Sequence, residues 1–274
     1  MGSATAAGAA RESLTDQAPN LSPRGLETLA DMYSAKALLG SDAEEPVPID
    51  RTTRISIAQG AELHRLIRTN RYRQTIEIGF AYGFSTIWIL DALSGLGGAS
   101  HIAIDPHERG PWSGIGLRQV ERLGLSDPIF RWIEDDSALA LPGLIRDGTR
   151  ADFVFIDGNH RFDDTLVDFY LSDKLLKPGG MIAFDDMWLE SIRAVASFIG
   201  SNREYKRVET PVENMAVFRK QGPDSRPWHH FRSFRTEFRP VRGGHIRRRV
   251  TGSLPYRTLR RTAAALVRSL RRRF

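Results

Sequence analysis

Short apolar runs alternate with helical segments through the middle of this chain, and that alternation limits the possible folds more than any other feature. Strand–helix–strand units of this kind form right-handed crossovers between parallel strands. Two further runs near residue 210 are expected to add a hairpin-like pair. The sequence therefore predicts an α/β fold with a doubly wound, mostly parallel seven-stranded sheet whose last strand is antiparallel. The predicted strands cover residues 75–79, 101–105, 129–133, 152–157, 181–184, 205–208 and 216–219.

The composition divides the 274 residues into three regions. Residues 1–22 are small and polar, so we expect a disordered leader that cannot offset the entropy of ordering. Residues 23–220 are long enough for one sizeable core and form the predicted folded domain. Residues 221–274 form a basic tail, since residues 226–274 contain 15 Arg and one acid. Formal charge is therefore +14 on that segment and −8 on residues 1–225.

Several classes of protein are excluded by what the sequence lacks. There is no Cys, which removes disulfides, thiolate nucleophiles and zinc sites built from Cys. No apolar run is long enough to span a membrane, and the first ten residues do not have the pattern of a signal peptide. These observations predict a cytoplasmic protein.

A glycine-rich loop follows the first predicted strand and opens a helix. It contains Glu77, Gly79, Gly83 and Ser85, with a spacing that differs from the dinucleotide-binding fingerprint. Glu77 would repel a pyrophosphate, so the loop suits a ligand that is cationic or neutral at this point. Asp105 ends the second strand, 22 residues beyond Gly83, where it could accept hydrogen bonds from both hydroxyls of a ribose.

These residues resemble the class I S-adenosylmethionine-dependent methyltransferases, which have a Rossmann-like fold. The loop from Glu77 to Thr86 is similar to the first motif of that family, and Asp105 is similar to the acid of the second. The resemblance implies S-adenosylmethionine as cofactor. By the same resemblance, Glu77 and Gly79 line its methionine portion, Ser85 bonds its carboxylate and Asp105 holds the ribose. Ser137 occupies the position of an adenine contact.

Acidic residues also follow two later strands. Asp157 follows one, and the pair Asp185 and Asp186 follows the next. If these strands are neighbours, three carboxylates meet at one rim and repel each other unless a cation relieves them. Oxygen ligands favour a hard divalent ion, Mg²⁺ first. His160, three residues after Asp157, could then accept a proton near neutral pH as the catalytic base.

Asp157, Asp185 and Asp186 resemble the metal ligands of the divalent-metal-dependent O-methyltransferases that act on catechols, caffeoyl thioesters and macrolide sugars. The resemblance covers residues 55–219 and includes the Lys177-Pro-Gly-Gly180 segment. Two positions depart from the catechol type, which has Asn where this chain has Asp186 and Lys where it has His160. Both departures are similar to the sugar-modifying branch. We therefore expect Mg²⁺-assisted O-methylation of a small acceptor, a sugar or another vicinal diol.

Two other functions are compatible with the sequence. The basic tail could recruit a nucleic acid as the methyl acceptor, although no Asn/Asp-Pro-Pro-aromatic tetrapeptide follows a strand. The cofactor pocket could instead belong to a non-catalytic S-adenosylmethionine-binding module, against which the set of Asp157, Asp185, Asp186 and His160 argues. Related enzymes are often dimers or larger, so the resemblance also implies a homo-oligomer.

The end of the basic tail predicts an amphipathic helix over residues 257–274, with leucines and alanines on one side and arginines on the others. This pattern is typical of a helix that lies on an anionic membrane surface. Contact with nucleic acid, through aromatic side chains interleaved with Arg, is a second interpretation. A solvated tail or one that docks in an oligomer is the third.

Overall fold

The structure is a computed structural model, and it describes residues 2–125 and 128–236. Its helices are α1 (Gly2–Gln17), α2 (Pro23–Ser34), α3 (Ile57–Asn70), α4 (Phe84–Leu93), α5 (Ile115–Leu123), α6 (Ser137–Arg146), α7 (Phe162–Leu175) and α8 (Glu190–Asn202), with a 3-10 turn at Arg51–Thr53. Its strands are β1 (Ala37–Leu38), β2 (Val47–Pro48), β3 (Gln74–Ile78), β4 (Ser100–Ile104), β5 (Phe130–Ile133), β6 (Ala151–Ile156), β7 (Leu176–Phe184), β8 (Tyr205–Val208) and β9 (Ala216–Lys220).

Seven strands form the central sheet in the order β5-β4-β3-β6-β7-β9-β8. The pairs from β5 to β7 are parallel, and β9 runs antiparallel to both of its neighbours. The prediction of a doubly wound, mostly parallel sheet with an antiparallel last strand is confirmed. The strand order reverses between β3 and β6, and such a switch point is where ligands bind in open α/β sheets. The glycine-rich loop after β3 and Asp157 after β6 lie on either side of it.

Both faces of the sheet are covered by helices. On β6, Phe153 and Phe155 belong to the apolar core on one face, while Val154 and Ile156 belong to the core on the other. Successive side chains of a strand point to opposite faces, so a strand that is apolar throughout is buried on both sides. The ends of the central strands are therefore fixed by packing on two sides.

The expectation of a disordered leader over residues 1–22 is wrong. Residues Gly2–Gln17 form α1, which packs against α2 and α3, and Leu14 is completely buried. Ser22 then caps α2, and its backbone N–H and hydroxyl both donate to the buried carboxylate of Asp91 on α4. Composition concealed this arrangement because a single large apolar side chain anchors a helix of small residues. The folded unit therefore begins before the predicted boundary at residue 23.

Two further boundaries differ from the predictions. The Lys177-Pro-Gly-Gly180 segment, expected to separate α7 from the next strand, is already part of β7, at a point where the register with β6 shifts. The start of the basic tail is attached to the folded unit: Asn202 of α8 donates to the carbonyl of Arg232 at 2.9 Å and accepts from its N–H at 2.7 Å. The helix expected at residues 257–274 lies outside the described residues.

Within the described ranges, none of the helices has both the length and the apolar character needed to cross a bilayer.

Candidate active site

The glycine-rich loop joins β3 to α4 and needs glycine at two positions. Gly79 has φ +92° and Gly83 has φ +78°, conformations that side chains with a Cβ rarely adopt. A Cβ on Gly79 would lie 2.2 Å from the carbonyl oxygen of Asp157. The loop therefore packs directly on the end of β6. Gly83 also precedes the first turn of α4, whose N–H groups have no side-chain cap and can receive a negatively charged group.

Glu77 lies beneath this loop and is completely buried. One carboxylate oxygen accepts a hydrogen bond from the Thr86 hydroxyl, and the same oxygen lies 3.3 Å from Nε2 of His101. The other oxygen is buried without a hydrogen-bond partner among the described residues. A buried, unpaired carboxylate oxygen is costly. An ammonium group of a ligand would satisfy it, so the residue fits the cationic end of a methionine moiety.

Asp105 stabilises the loop from the neighbouring strand. Its Oδ2 accepts from the backbone N–H groups of Phe80 and Ala81 at 2.9 and 3.0 Å, and its Oδ1 accepts from that of His107 at 2.8 Å. A carboxylate has about four acceptor positions, so one is left for a ligand hydroxyl. The carboxylate thus fixes the loop as well as offering an acceptor.

The two predicted serine contacts lie at the beginnings of helices. Ser85 is buried in the first turn of α4. Ser137 is the first residue of α6 and its hydroxyl is hydrogen-bonded to the carboxylate of Asp168 on α7. Both positions are at the carboxyl ends of the strands, on the rim that the glycine-rich loop occupies.

Glu108, which sequence reasoning did not single out, is a second buried acid near Asp105. Its Oε1 accepts from the backbone N–H of Leu117 in the first turn of α5, at 3.0 Å. Its Oε2 is buried without a partner among the described residues. Burial raises the pKa of Glu108 to about 8, and the charge of Asp105 adds to the effect.

The titration of Glu108 predicts a measurable pH dependence of stability. The folded-state pKa of about 8 exceeds the ordinary 4.5, so the folded protein keeps a proton that the unfolded chain releases. The stability is therefore greatest below the lower pKa and is lost as the pH rises through 8. Between pH 6 and pH 9, the unfolding free energy of wild type should fall by roughly 2 kcal/mol more than that of Glu108→Gln, which has no titrating carboxyl at this position. Urea unfolding at both pH values measures this; equal pH dependence of the two proteins contradicts it.

The acids at the ends of β6 and β7 converge, because these strands are neighbours. Nε2 of His160 lies 3.4 Å from Oδ1 of Asp157 and 3.2 Å from Oδ2 of Asp186. One ligand atom from each of these three side chains lies within 4.8 Å of the other two, a spacing that could hold a metal ion. All three are partly exposed and so accessible to a substrate.

The charges in this cluster shift the titration of its members. Burial raises the pKa of Asp157 to about 6, and the charge of Asp186 contributes in the same direction. Burial alone would lower the pKa of His160. The hydrogen bond to Asp157 and the charges of Asp157 and Asp186 outweigh that effect and raise the pKa of His160 above its ordinary value. The cluster therefore has an excess of negative charge that a cation would relieve.

Asp185 is placed differently from the other two predicted metal ligands. It is buried and its Oδ1 accepts hydrogen bonds from Nε2 of Gln59 and, at 2.9 Å, from Nδ2 of Asn214. Burial first, and then the charges of Asp157 and Asp186, raise its pKa well above the ordinary value. Sequence reasoning missed Gln59 and Asn214, because no sequence motif associates either residue with Asp185.

An indole ring borders the cluster. Trp188 donates from Nε1 to Oδ1 of Asp186 at 2.8 Å, and its side chain is half exposed. Trp112 packs edge-on against Tyr82, with ring centroids 5.0 Å apart.

Comparison with known proteins agrees with this arrangement. A family model described as a methyltransferase domain matches residues 76–187, from β3 to the turn after β7. An Arabidopsis thaliana protein named as a caffeoyl-CoA O-methyltransferase is 30% identical over 172 residues, covering 61% of this chain and 66% of the relative. The tapetum-specific methyltransferase 1 of the same plant is 29% identical over 175 residues, covering 62% and 68%. The chain thus spans about two thirds of each relative's length.

Solved structures share the fold. An O-methyltransferase from Bacillus cereus in complex with SAH has a TM-score of 0.56 and 20% identity, covering 80% of this chain and 100% of its own. The O-methyltransferase TomG from Streptomyces achromogenes, involved in tomaymycin synthesis and solved with SAM, has a TM-score of 0.54 and 21% identity, covering 63% and 83%.

The sheet order, the glycine-rich loop and the matching family model identify the chain as a class I S-adenosylmethionine-dependent methyltransferase. Within that class, the chain is similar to a curated relative named as an O-methyltransferase, and the structural neighbours share the fold. The cofactor is S-adenosylmethionine. These findings favour an O-methyltransferase over the nucleic-acid-directed enzyme and the non-catalytic module.

Proposed function

We propose that the protein methylates a hydroxyl of a small acceptor with vicinal hydroxyls, a sugar first, with the assistance of a divalent cation. The observation that carries the proposal is the convergence of Asp157, Asp186 and His160 beside the glycine-rich loop. A methyl donor held by that loop and an acceptor held at the acidic cluster would meet at the switch point of the sheet.

The residues present fit a hard divalent ion, for which Mg²⁺ is the first candidate. Asp157, Asp185 and Asp186 supply oxygen donors. Burial first, and then the charges of the neighbouring acids, raise the pKa values of Asp157 and Asp185. When bound, such an ion lowers the pKa of an acceptor hydroxyl and orients it. The carboxylates hold the ion, and the indole of Trp188 borders the place for the acceptor.

The residues around the loop fit S-adenosylmethionine, which supplies a methyl group on a sulfonium sulfur. The unpaired oxygen of Glu77 suits the ammonium group, while Ser85 and the first turn of α4 suit the carboxylate. Asp105 has an acceptor position for a ribose hydroxyl, and Ser137 is assigned to the adenine. Gly79 allows the loop to lie against the end of β6, which keeps donor and acceptor close.

His160 is the proposed base. Its Nε2 lies beside Asp157 and Asp186. With these two carboxylates committed to the cation, the neutral ring of His160 would be free to accept the proton released by the acceptor hydroxyl. The same two carboxylates raise the pKa of His160, so neutralising them would leave more of the ring in the neutral, proton-accepting form. His160 and Asp186 are the two positions that depart from the catechol type, and this departure supports a sugar hydroxyl as acceptor.

Calorimetric titration tests the proposal. We expect the protein to bind S-adenosylmethionine, to bind Mg²⁺ or Mn²⁺, and to lose the metal site but not the cofactor site in an Asp157→Ala/Asp185→Ala variant. Mass spectrometry of reactions with vicinal-diol sugars and with catechols then identifies the acceptor class. Cofactor binding with no metal site in wild type would overturn the metal-assisted mechanism. Methylation of catechols alone would overturn the sugar assignment.

A further inference from the structure

Asn214 lies two residues before the start of β9, opposite the turn that follows β7. Because β9 pairs antiparallel with β7, with Ala216 opposite Phe184, the start of β9 lies beside the Asp185–Asp186 pair. Asn214 uses its backbone carbonyl, its amide nitrogen and its amide oxygen to bind this turn. Asn214 is 29 positions after Asp185 along the chain.

The neighbours of Asn214 determine which way its amide points. The backbone N–H of Trp188 donates to Oδ1 of Asn214 at 3.2 Å. Because an N–H needs an acceptor, the oxygen of the Asn214 amide must be the atom that faces Trp188. Nδ2 then faces two acceptors, Oδ1 of Asp185 at 2.9 Å and Oδ1 of Asp186 at 3.4 Å. The carbonyl of Asn214 also accepts from the N–H of Met187 at 3.2 Å. One residue is thus bonded to four consecutive residues of the turn.

The turn needs this support because its conformation is unfavourable. Asp186 has φ +55°, in the left-handed region, which costs about 1 kcal/mol for a residue other than glycine. Its carboxylate is oriented through one oxygen, Oδ1, which accepts from the indole of Trp188 and from Asn214. This leaves Oδ2 directed at His160, 3.2 Å away.

We propose that Asn214 is a positioning residue that fixes the directions of the Asp185 and Asp186 carboxylates for cation binding. The inference rests on the metal site of the proposed function. Asn214 offers a carboxamide that donates to both carboxylates and adds no charge of its own. Residues that orient metal ligands in this way typically change metal affinity by about 10- to 100-fold when they are replaced.

The test compares Mn²⁺ binding, followed by electron paramagnetic resonance of the free ion, in wild type and Asn214→Ala. We expect the dissociation constant for Mn²⁺ to rise about 10- to 100-fold, while calorimetry shows the affinity for S-adenosylmethionine unchanged. The matched control is Asn70→Ala. Asn70 also bonds through both ends of its amide, to the Leu66 carbonyl and to Arg219, but lies at the end of α3 away from the cluster. It should leave Mn²⁺ binding unchanged.

Asn214→Ser provides a second variant if the alanine protein does not fold, since its hydroxyl is one bond too short to reach both carboxylates. Weaker Mn²⁺ binding with unchanged cofactor binding in either folded variant supports the inference. Unchanged Mn²⁺ affinity in a folded variant overturns it and leaves the proposed function intact. A parallel loss of Mn²⁺ and cofactor affinity also overturns it, because that result indicates a general structural role. No Mn²⁺ binding to wild type overturns the metal site itself.

Discussion

Asp157→Asn should reduce methyl transfer by about 10³-fold or more, because the proposed function makes Asp157 a ligand of the cation that stabilises the reacting oxygen, an effect of several kcal/mol. The same substitution should leave the fold at least as stable. The pKa of Asp157, raised to about 6 by burial and by Asp186, means that its charge opposes folding above that pH. In the presence of a chelator at pH 8, we expect the variant to be about 1 kcal/mol more stable than wild type. Initial rates and urea unfolding measure the two effects.

Asp152→Asn is the matched control, at the opposite end of β6. Asp152 accepts from Lys177 and from the backbone N–H groups of Arg73 and Gln74. Burial opposes ionisation there, but these bonds outweigh it and lower the pKa of Asp152. The control should therefore lose about 1 kcal/mol of stability and keep its activity. If Asp157→Asn behaves in the same way, Asp157 serves the fold and not the reaction.

Much of the fold and part of the site were predictable from the sequence, because apolar runs mark the strands and the site residues come directly after the strands end. The apolar runs fixed the positions of β3, β6 and β7 to within a few residues, and parallel strands place their carboxyl ends at one rim. Asp157 and Asp186 therefore had to approach each other once β6 and β7 were neighbours. The glycines at positions 79 and 83 were also predictable, because a tight turn between a buried strand and a helix leaves no room for a side chain.

The remaining features depend on tertiary contacts that leave no local pattern. Gln59 resembles an ordinary helix-capping residue, and it does complete a capping box with Ser56. Its amide nitrogen also reaches Asp185, which is 126 positions away. The burial of Glu108 and the anchoring of α1 by Leu14 likewise result from which elements pack together. Periodicity and motif spacing report on neighbours along the chain, so they do not reveal such contacts.

Gly79→Ala is expected to have the largest effect on the fold and on the cofactor site together. The new Cβ would lie 2.2 Å from the carbonyl oxygen of Asp157, and φ is +92° at this position. The backbone at Gly79 and the carbonyl group of Asp157 cannot shift without disturbing the ends of the central strands β3 and β6. We expect a loss of about 3 kcal/mol or more of unfolding free energy and no measurable binding of S-adenosylmethionine. Urea unfolding and calorimetry provide the measurements.

Gly95→Ala separates the two causes of this loss, which are the positive φ and the steric contact of the new Cβ. Gly95 has φ +75°, but a Cβ there would meet no atom within 4 Å. This variant should therefore lose only about 1 kcal/mol, from the backbone conformation alone, and should bind the cofactor normally. If Gly79→Ala were no less stable than Gly95→Ala, the contact between the loop and Asp157 would not constrain the site. A larger loss of stability in Gly79→Ala than in Gly95→Ala would mean that one close backbone contact holds the glycine-rich loop against the end of β6, where Asp157 follows.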